Sequence, residues 1–270
     1  MGYLAREDGK QVYFEDYGSG DDAIVLVHGW GMGLRVWDYS LPALTAAGHR
    51  VVLIDHRGCG ESSKDFADMG IDAIAGDVVA LVEHLNLKKV VLNGWSLGGA
   101  VVVAVASRLQ SRCAGLVLTC GATPCYLQQP DFPHGGTTDV LAETLTAMAA
   151  DRVNFLAALA GGVCASDVSQ LVIDWMWGIF MRSSPLAAQA LAELGPLDQR
   201  GLLATLKMPI LSFVGAKDAV VDPAVCRSVA HYNDNVTTVE CAESGHAPFI
   251  DEAALYHGAL LDFLANRLEE

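Results

Sequence analysis

Short β-rich runs, mostly of consecutive apolar residues, recur at Ala23 to Val27, Val51 to Ile54, Val90 to Leu92, Leu116 to Thr119 and Ile210 to Val214, with a threonine-rich one at Thr237 to Glu240, bounded by Gly, Asp or Asn. Short continuous runs rich in β-branched residues predict strands covered on both faces, the signature of a parallel sheet. Between them, Ala73 to Asn86 and Gly98 to Leu109 carry helical patterns that would supply the cover. Gln11 to Tyr17, with Val12 and Phe14 inside it, predicts the start of an antiparallel hairpin.

The alternation stops after Ala122. From Pro124 to about Gly195 there is no clear strand, and helical stretches are expected at Thr138 to Ala150, Val153 to Leu159, Val168 to Met181 and Pro185 to Leu194. Strand patterning resumes at Met208. The expected architecture is therefore an α/β core, residues 1–122 and 196–270, with a helical cap, residues 123–195, inserted in it. Within the cap, "WMWGIFM" at 175–181 reads either as the buried face of a helix or as the lining of an acyl-chain pocket.

Composition narrows the partners. The 270 residues are 52% hydrophobic and 18% charged, and 17 Lys plus Arg against 32 Asp plus Glu leave a formal charge of −15. With no basic cluster, nucleic acid and anionic membrane surfaces are not expected partners, since both would be repelled. The longest apolar run, Ala100 to Ala106, is too short to span a bilayer, and "MGYLAREDGK" has no signal-like apolar stretch, so a soluble cytoplasmic protein is expected. Seven cysteines without a C-x-x-C pair read as small buried hydrophobes, not as a disulfide or zinc framework.

One polar residue interrupts the apolar junction "VVLNGWSLGGAVVVA", residues 90–104. Ser96 stands in G-x-S-x-G after a strand and before a helix, where it could cap the helix or serve as a nucleophile on a tight elbow. Capping leaves the flanking glycines unexplained; an elbow requires them, because larger side chains would clash in the turn. A serine needs a base, and His246 in "ESGHAPF" follows the last expected strand, on the sheet edge where the elbow opens. For the acid that orients it, "VGAKDAVVDP" offers Asp218, directly after a strand, and Asp222, whose following proline suggests a helix cap. Asp218 is preferred. Two backbone N–H groups would stabilise an oxyanion: that of Leu97, after the serine, and that of Trp30 in "VLVHGWGMG". His28 is expected to hold that turn, His84 and His257 to lie on solvated helix faces, and "DHRGCGESS" at 55–63 to shape a nearby loop without chemistry of its own.

These motifs resemble the α/β-hydrolase superfamily over essentially the whole chain. The stretches "HGWGMGLRVW", "NGWSLGGAVVVA", "DFPHGGTTDVLAETL", "GPLDQRGLLATLKMPILSFVGAKDAVVDP" and "SGHAPFIDE" are similar to their counterparts in the pimeloyl-[acyl-carrier protein] methyl ester esterases. That resemblance implies hydrolysis of a methyl ester on an acyl chain borne by acyl carrier protein, in biotin synthesis, with no metal or cofactor. It implies that Trp30, Ser96, Leu97, Phe155 and His246 contact the substrate, Phe155 meeting the acyl chain under the cap. Members of that group recognise the acidic carrier through cap arginines; here the cap holds only Arg152 and Arg182, and no lysine. The same triad would serve a general small-ester carboxylesterase or lactonase, a cofactor-free perhydrolase of the haloperoxidase kind, or a ligand receptor that has lost turnover.

Overall fold

The computed structural model of the chain describes residues 1–268. Among them, β1 (Gly2–Ala5), β2 (Gln11–Tyr17), β3 (Asp22–Val27), β4 (Val51–Ile54), β5 (Lys89–Trp95), β6 (Cys113–Thr119), β7 (Ile210–Gly215) and β8 (Val236–Cys241) form one sheet in the order β1-β2-β4-β3-β5-β6-β7-β8. β1 and β2 are antiparallel to each other, β2 is antiparallel to β4, and β4 through β8 run parallel with β3. The helices are α1 (Leu41–Ala46), α2 (Ile71–His84), α3 (Leu97–Leu109), α4 (Thr138–Ala150), α5 (Arg152–Gly161), α6 (Gln170–Met181), α7 (Ala188–Glu193), α8 (Arg200–Thr205), α9 (Pro223–Ser228), α10 (Pro248–Asp251) and α11 (Ala253–Leu268).

The consecutive apolar runs are explained by two apolar layers. In β3, Ile24 and Leu26 face a core shared with Trp37, Tyr256, Leu260 and Leu264, while Val25 and Val27 face another shared with α2 and α3. Side chains alternate across a strand, so a strand clad on both faces needs apolar residues at every position. β8 departs from this: it is an edge strand with most of its residues at least partly exposed, and its threonines suit that position. No helix among the described residues is long and apolar enough to cross a membrane. All seven cysteines are free, and only Cys164 is less than fully buried.

From β3 the chain moves outward to β4, then returns through α2 to β5 on the other side of β3. The crevice at the carboxyl ends of β3 and β5 is thus the switch point of the sheet, where ligands bind in open α/β folds. Helices α4 to α8 lie between β6 and β7, and the ends of α4 to α7 differ slightly from expectation. α4 begins where expected, with Thr137 accepting from the Val140 N–H, whereas α6 starts only at Gln170, and Pro185–Ala187 form a 3-10 turn before α7. The sequence patterns do not anticipate β1 or α1, and of α11 they register only the helical setting of His257.

Candidate active site

Ser96 sits between β5 and α3 with φ 56° and ψ −122°. A residue with a Cβ held there stores roughly 1–3 kcal/mol of strain, and it persists only where neighbours fix the backbone. They do so here: the Ser96 N–H donates to the Thr119 carbonyl at 3.0 Å, and its carbonyl accepts from Gly99 and Ala122, both at 2.8 Å. The flanking glycines are a packing requirement. A Cβ on Gly94 would lie 2.2 Å from the Gly98 carbonyl oxygen, and one on Gly98 would lie 2.4 Å from that of Val27. Ser96 occupies the N-cap position of α3, but its side chain makes no capping hydrogen bond, so the hydroxyl is not spent on the helix.

His246 follows β8 in the loop before α10, its ring buried. Its Nδ1–H donates to Asp218 Oδ2 at 2.7 Å, which leaves the lone pair on Nε2. The other carboxylate oxygen of Asp218 accepts from the N–H groups of Val220 and Val221, at 2.8 and 3.0 Å. Asp222 is engaged elsewhere: it caps α9 by accepting from the Ala224 N–H and takes a second bond from the Gly135 N–H. Geometry therefore selects Asp218 as the partner of His246. The His246 backbone is tied to the helical insertion, its N–H donating to the Val163 carbonyl at 2.8 Å. Asp251 supports the same corner by accepting from Gly245, Ala165 and Ser166.

Trp30, Ser96, Leu97, Phe155 and His246 all line one apolar cavity of about 80 Å³, together with Tyr126, Phe180, Leu191 and Leu194. Neither the Trp30 nor the Leu97 N–H donates to a backbone or side-chain acceptor among the described residues. The Trp30 indole N–H is bonded to the Ala187 carbonyl at 2.8 Å, which orients the ring toward the insertion. Burial and the nearby Asp218 charge push the Tyr126 phenol up, so it stays a neutral donor, bonded to the Val220 carbonyl. A hydroxyl on a strained turn, an imidazole with a lone pair on Nε2 and a buried carboxylate that orients the ring are the parts needed to move a proton from a serine to a histidine and on to a leaving group.

A family model described as the α/β hydrolase fold matches residues 22–253. The chain belongs to this family. It is 31% identical, over 93% of its length and 97% of the relative's, to a pimeloyl-[acyl-carrier protein] methyl ester esterase from Vibrio cholerae. It is also 31% identical to a non-heme haloperoxidase from Rhodococcus erythropolis, over 82% of this chain and 83% of that one. An esterase from Exiguobacterium antarcticum superposes with a TM-score of 0.93 at 25% identity, across 97% of this chain and 99% of the other.

Other sequence expectations for this α/β hydrolase meet a more varied outcome. His28 holds its turn: Nδ1–H donates to the Gly29 carbonyl at 2.7 Å and Nε2 accepts from the His56 N–H at 3.0 Å. Burial drives both rings below their ordinary pKa, His56 further than His28, and the two stack at 3.7 Å. The 55–63 loop is a buried polar frame. Asp55 accepts from Leu34 and Glu61, and Arg57 grips Asp77 with two bonds of 2.7 Å. His84 is exposed as expected, but His257 is half-buried and bonds Ser40 at 3.0 Å, because α1 and its preceding turn cover that face of α11. Of "WMWGIFM", Met176, Ile179 and Phe180 are buried and only Phe180 reaches the cavity.

The cap arginines are both committed. Arg152 donates to the Ser183 carbonyl and hydroxyl, each at 2.7 Å, and to the Phe180 carbonyl, fastening α5 to the end of α6. Arg182 pairs with Glu61. Sequence alone did not find Tyr126, Val163, Leu191, Leu194 or Val220 in the lining, and nothing in their local pattern distinguishes them from ordinary core.

Proposed function

We propose that this ester hydrolase cleaves small free carboxylic esters with a compact apolar acyl group, through an acyl-Ser96 intermediate. His246 Nε2 takes the Ser96 proton as the hydroxyl attacks the ester carbonyl, and Asp218 holds the ring and balances the imidazolium. The Trp30 and Leu97 N–H groups receive the oxyanion. His246 then protonates the departing alkoxide, and water repeats the sequence on the acyl-enzyme.

The supporting observation for the substrate is the cavity. At about 80 Å³ it is roughly half the size of the ~150 Å³ engineered apolar cavity that takes up benzene, which suits a short acyl group. The insertion offers no unengaged arginine to attract an acidic carrier, and the chain as a whole carries −15.

A second reading, hydrolysis of the methyl ester of pimeloyl-[acyl-carrier protein], is favoured by the identity to the Vibrio cholerae esterase over 93% of the chain. It requires the insertion to open for a longer chain. Comparing kcat/KM for acetyl, butyryl and hexanoyl esters with that for dimethyl pimelate and for the carrier-linked ester decides between the two. Decline with acyl length is the expected result; a strong preference for the carrier-linked ester would replace the first reading with the second.

A further inference from the structure

Behind the hydrolytic centre, three metal-ligating side chains converge. Cys120, Asp218 and His246 bring a thiol sulfur, a carboxylate oxygen and a ring nitrogen within 4.8 Å of one another, all of them buried. Cys120 directly follows β6, and its backbone is fixed: φ is 44° and its N–H donates to the Phe213 carbonyl in β7 at 3.0 Å. Its thiol is directed toward the His246 loop, where it meets the Gly245 carbonyl at 3.8 Å. One sulfur, one imidazole nitrogen and one carboxylate oxygen form the donor set of zinc and softer divalent ions, not of magnesium or calcium. Ligand atoms about a tetrahedral zinc stand roughly 3.3–3.5 Å apart, so the 2.7 Å contact between His246 Nδ1 and Asp218 Oδ2 must open by at least about half an ångström while any longer separation from the sulfur, at most 4.8 Å, closes.

We propose that a thiophilic divalent cation, Zn²⁺ or Cd²⁺, binds Cys120 Sγ, Asp218 Oδ2 and His246 Nδ1 and thereby switches the hydrolase off. The cation replaces the hydrogen in the Nδ1–H···Oδ2 contact. The thiol releases its proton to solvent; the imidazole stays neutral, its one proton moving from Nδ1 to Nε2. His246 then carries hydrogen on the nitrogen where the reaction needs a lone pair, and Ser96 has no base. Asp218 Oδ1 is held by Val220 and Val221, so the carboxylate can turn Oδ2 outward about that anchor without losing those bonds. The site itself is independent of the proposed activity; its effect on turnover rests on His246 being the base.

Cd²⁺ is the probe, because cadmium–thiolate charge-transfer absorption reports the Cys120 bond without any turnover. In the wild-type chain and in Ser96→Ala alike, one equivalent is expected to raise that absorption. In the wild type it also abolishes ester hydrolysis until EDTA is added. Cys120→Ser and Cys120→Ala are expected to lose the absorption and to need at least about tenfold more Cd²⁺ for half inhibition. Cys113→Ser, at the opposite end of β6, should titrate like the wild type. Absence of the absorption in the wild type, or equal inhibition of wild type and Cys120→Ser, overturns the site. A Cys120-dependent absorption with turnover untouched overturns the switch and the role of His246 as base, while leaving the site.

Discussion

The Trp95 indole N–H donates to the main-chain carbonyl of His246 at 2.7 Å, so the residue before Ser96 is bonded to the residue proposed as its base. The two rings lie 5.2 Å apart, and Phe249 stacks edge-on against Trp95 at 5.3 Å. Trp95→Phe preserves most of this packing but leaves the buried His246 carbonyl without its donor. A loss of about 1–3 kcal/mol in unfolding free energy is expected. Because the loop also positions the ring, kcat should fall about tenfold with KM moving less. Thermal unfolding together with steady-state kinetics on a short-chain ester checks both.

Ser96→Ala should lower kcat by at least about 10³-fold while the melting temperature stays near that of the wild type, since alanine keeps the Cβ and the lost hydroxyl makes no capping bond. Asp218→Asn should impair turnover far more than Asp222→Asn, which retains an acceptor for the cap of α9. Kinetics of the three purified variants would reverse the assignment of the acid if Asp222→Asn were the more damaged.

Acid sensitivity should arise partly from the His28–His56 stack. Both rings are held below their ordinary pKa by burial, so below about pH 6.5 the unfolded chain takes up protons that the folded chain refuses. Their contribution is fully present above that pH and declines as the solution becomes more acidic. The limit is about 1.4 kcal/mol per pH unit for each ring. His56→Phe keeps the stacked shape and removes one titrating group, so denaturant midpoints measured between pH 7 and 5 should decline less steeply than in the wild type.

Phe155 forms part of the cavity wall. Phe155→Ala should enlarge the acyl pocket and shift preference toward longer esters, raising the hexanoyl-to-acetyl ratio of kcat/KM by about tenfold. An unchanged ratio across the ester series would remove Phe155 from acyl recognition.

What the sequence made legible follows from the range over which each feature is determined. Ser96 could be read because its elbow is local: the contact that excludes a side chain at Gly94 comes from Gly98, four residues on. Asp218 and His246 could be read because each follows a β-rich run, apolar in β7 and threonine-valine in β8, and the proline after Asp222 already marked that residue as a cap; the bond to His246 bears out the preference for Asp218. The lining from the insertion was obscure. α6 is apolar around most of its circumference, so no stripe marks Phe180 as the residue turned to the cavity, and Leu191 and Leu194 are placed by packing between distant helices. β1 is four residues at the edge of the sheet, too short for its alternation to register, and the Ser40 bond of His257 joins residues far apart in the chain.

The bond from the His246 N–H to Val163 joins two main-chain groups, one from each part of the molecule. No side-chain substitution at position 163 deletes a carbonyl. The residues of the insertion can therefore drift, and the chamber be reshaped for new esters, without unseating the imidazole, so long as the backbone still passes that point. For anyone grafting a foreign lid onto this scaffold, the specification is a path in space more than a string of letters.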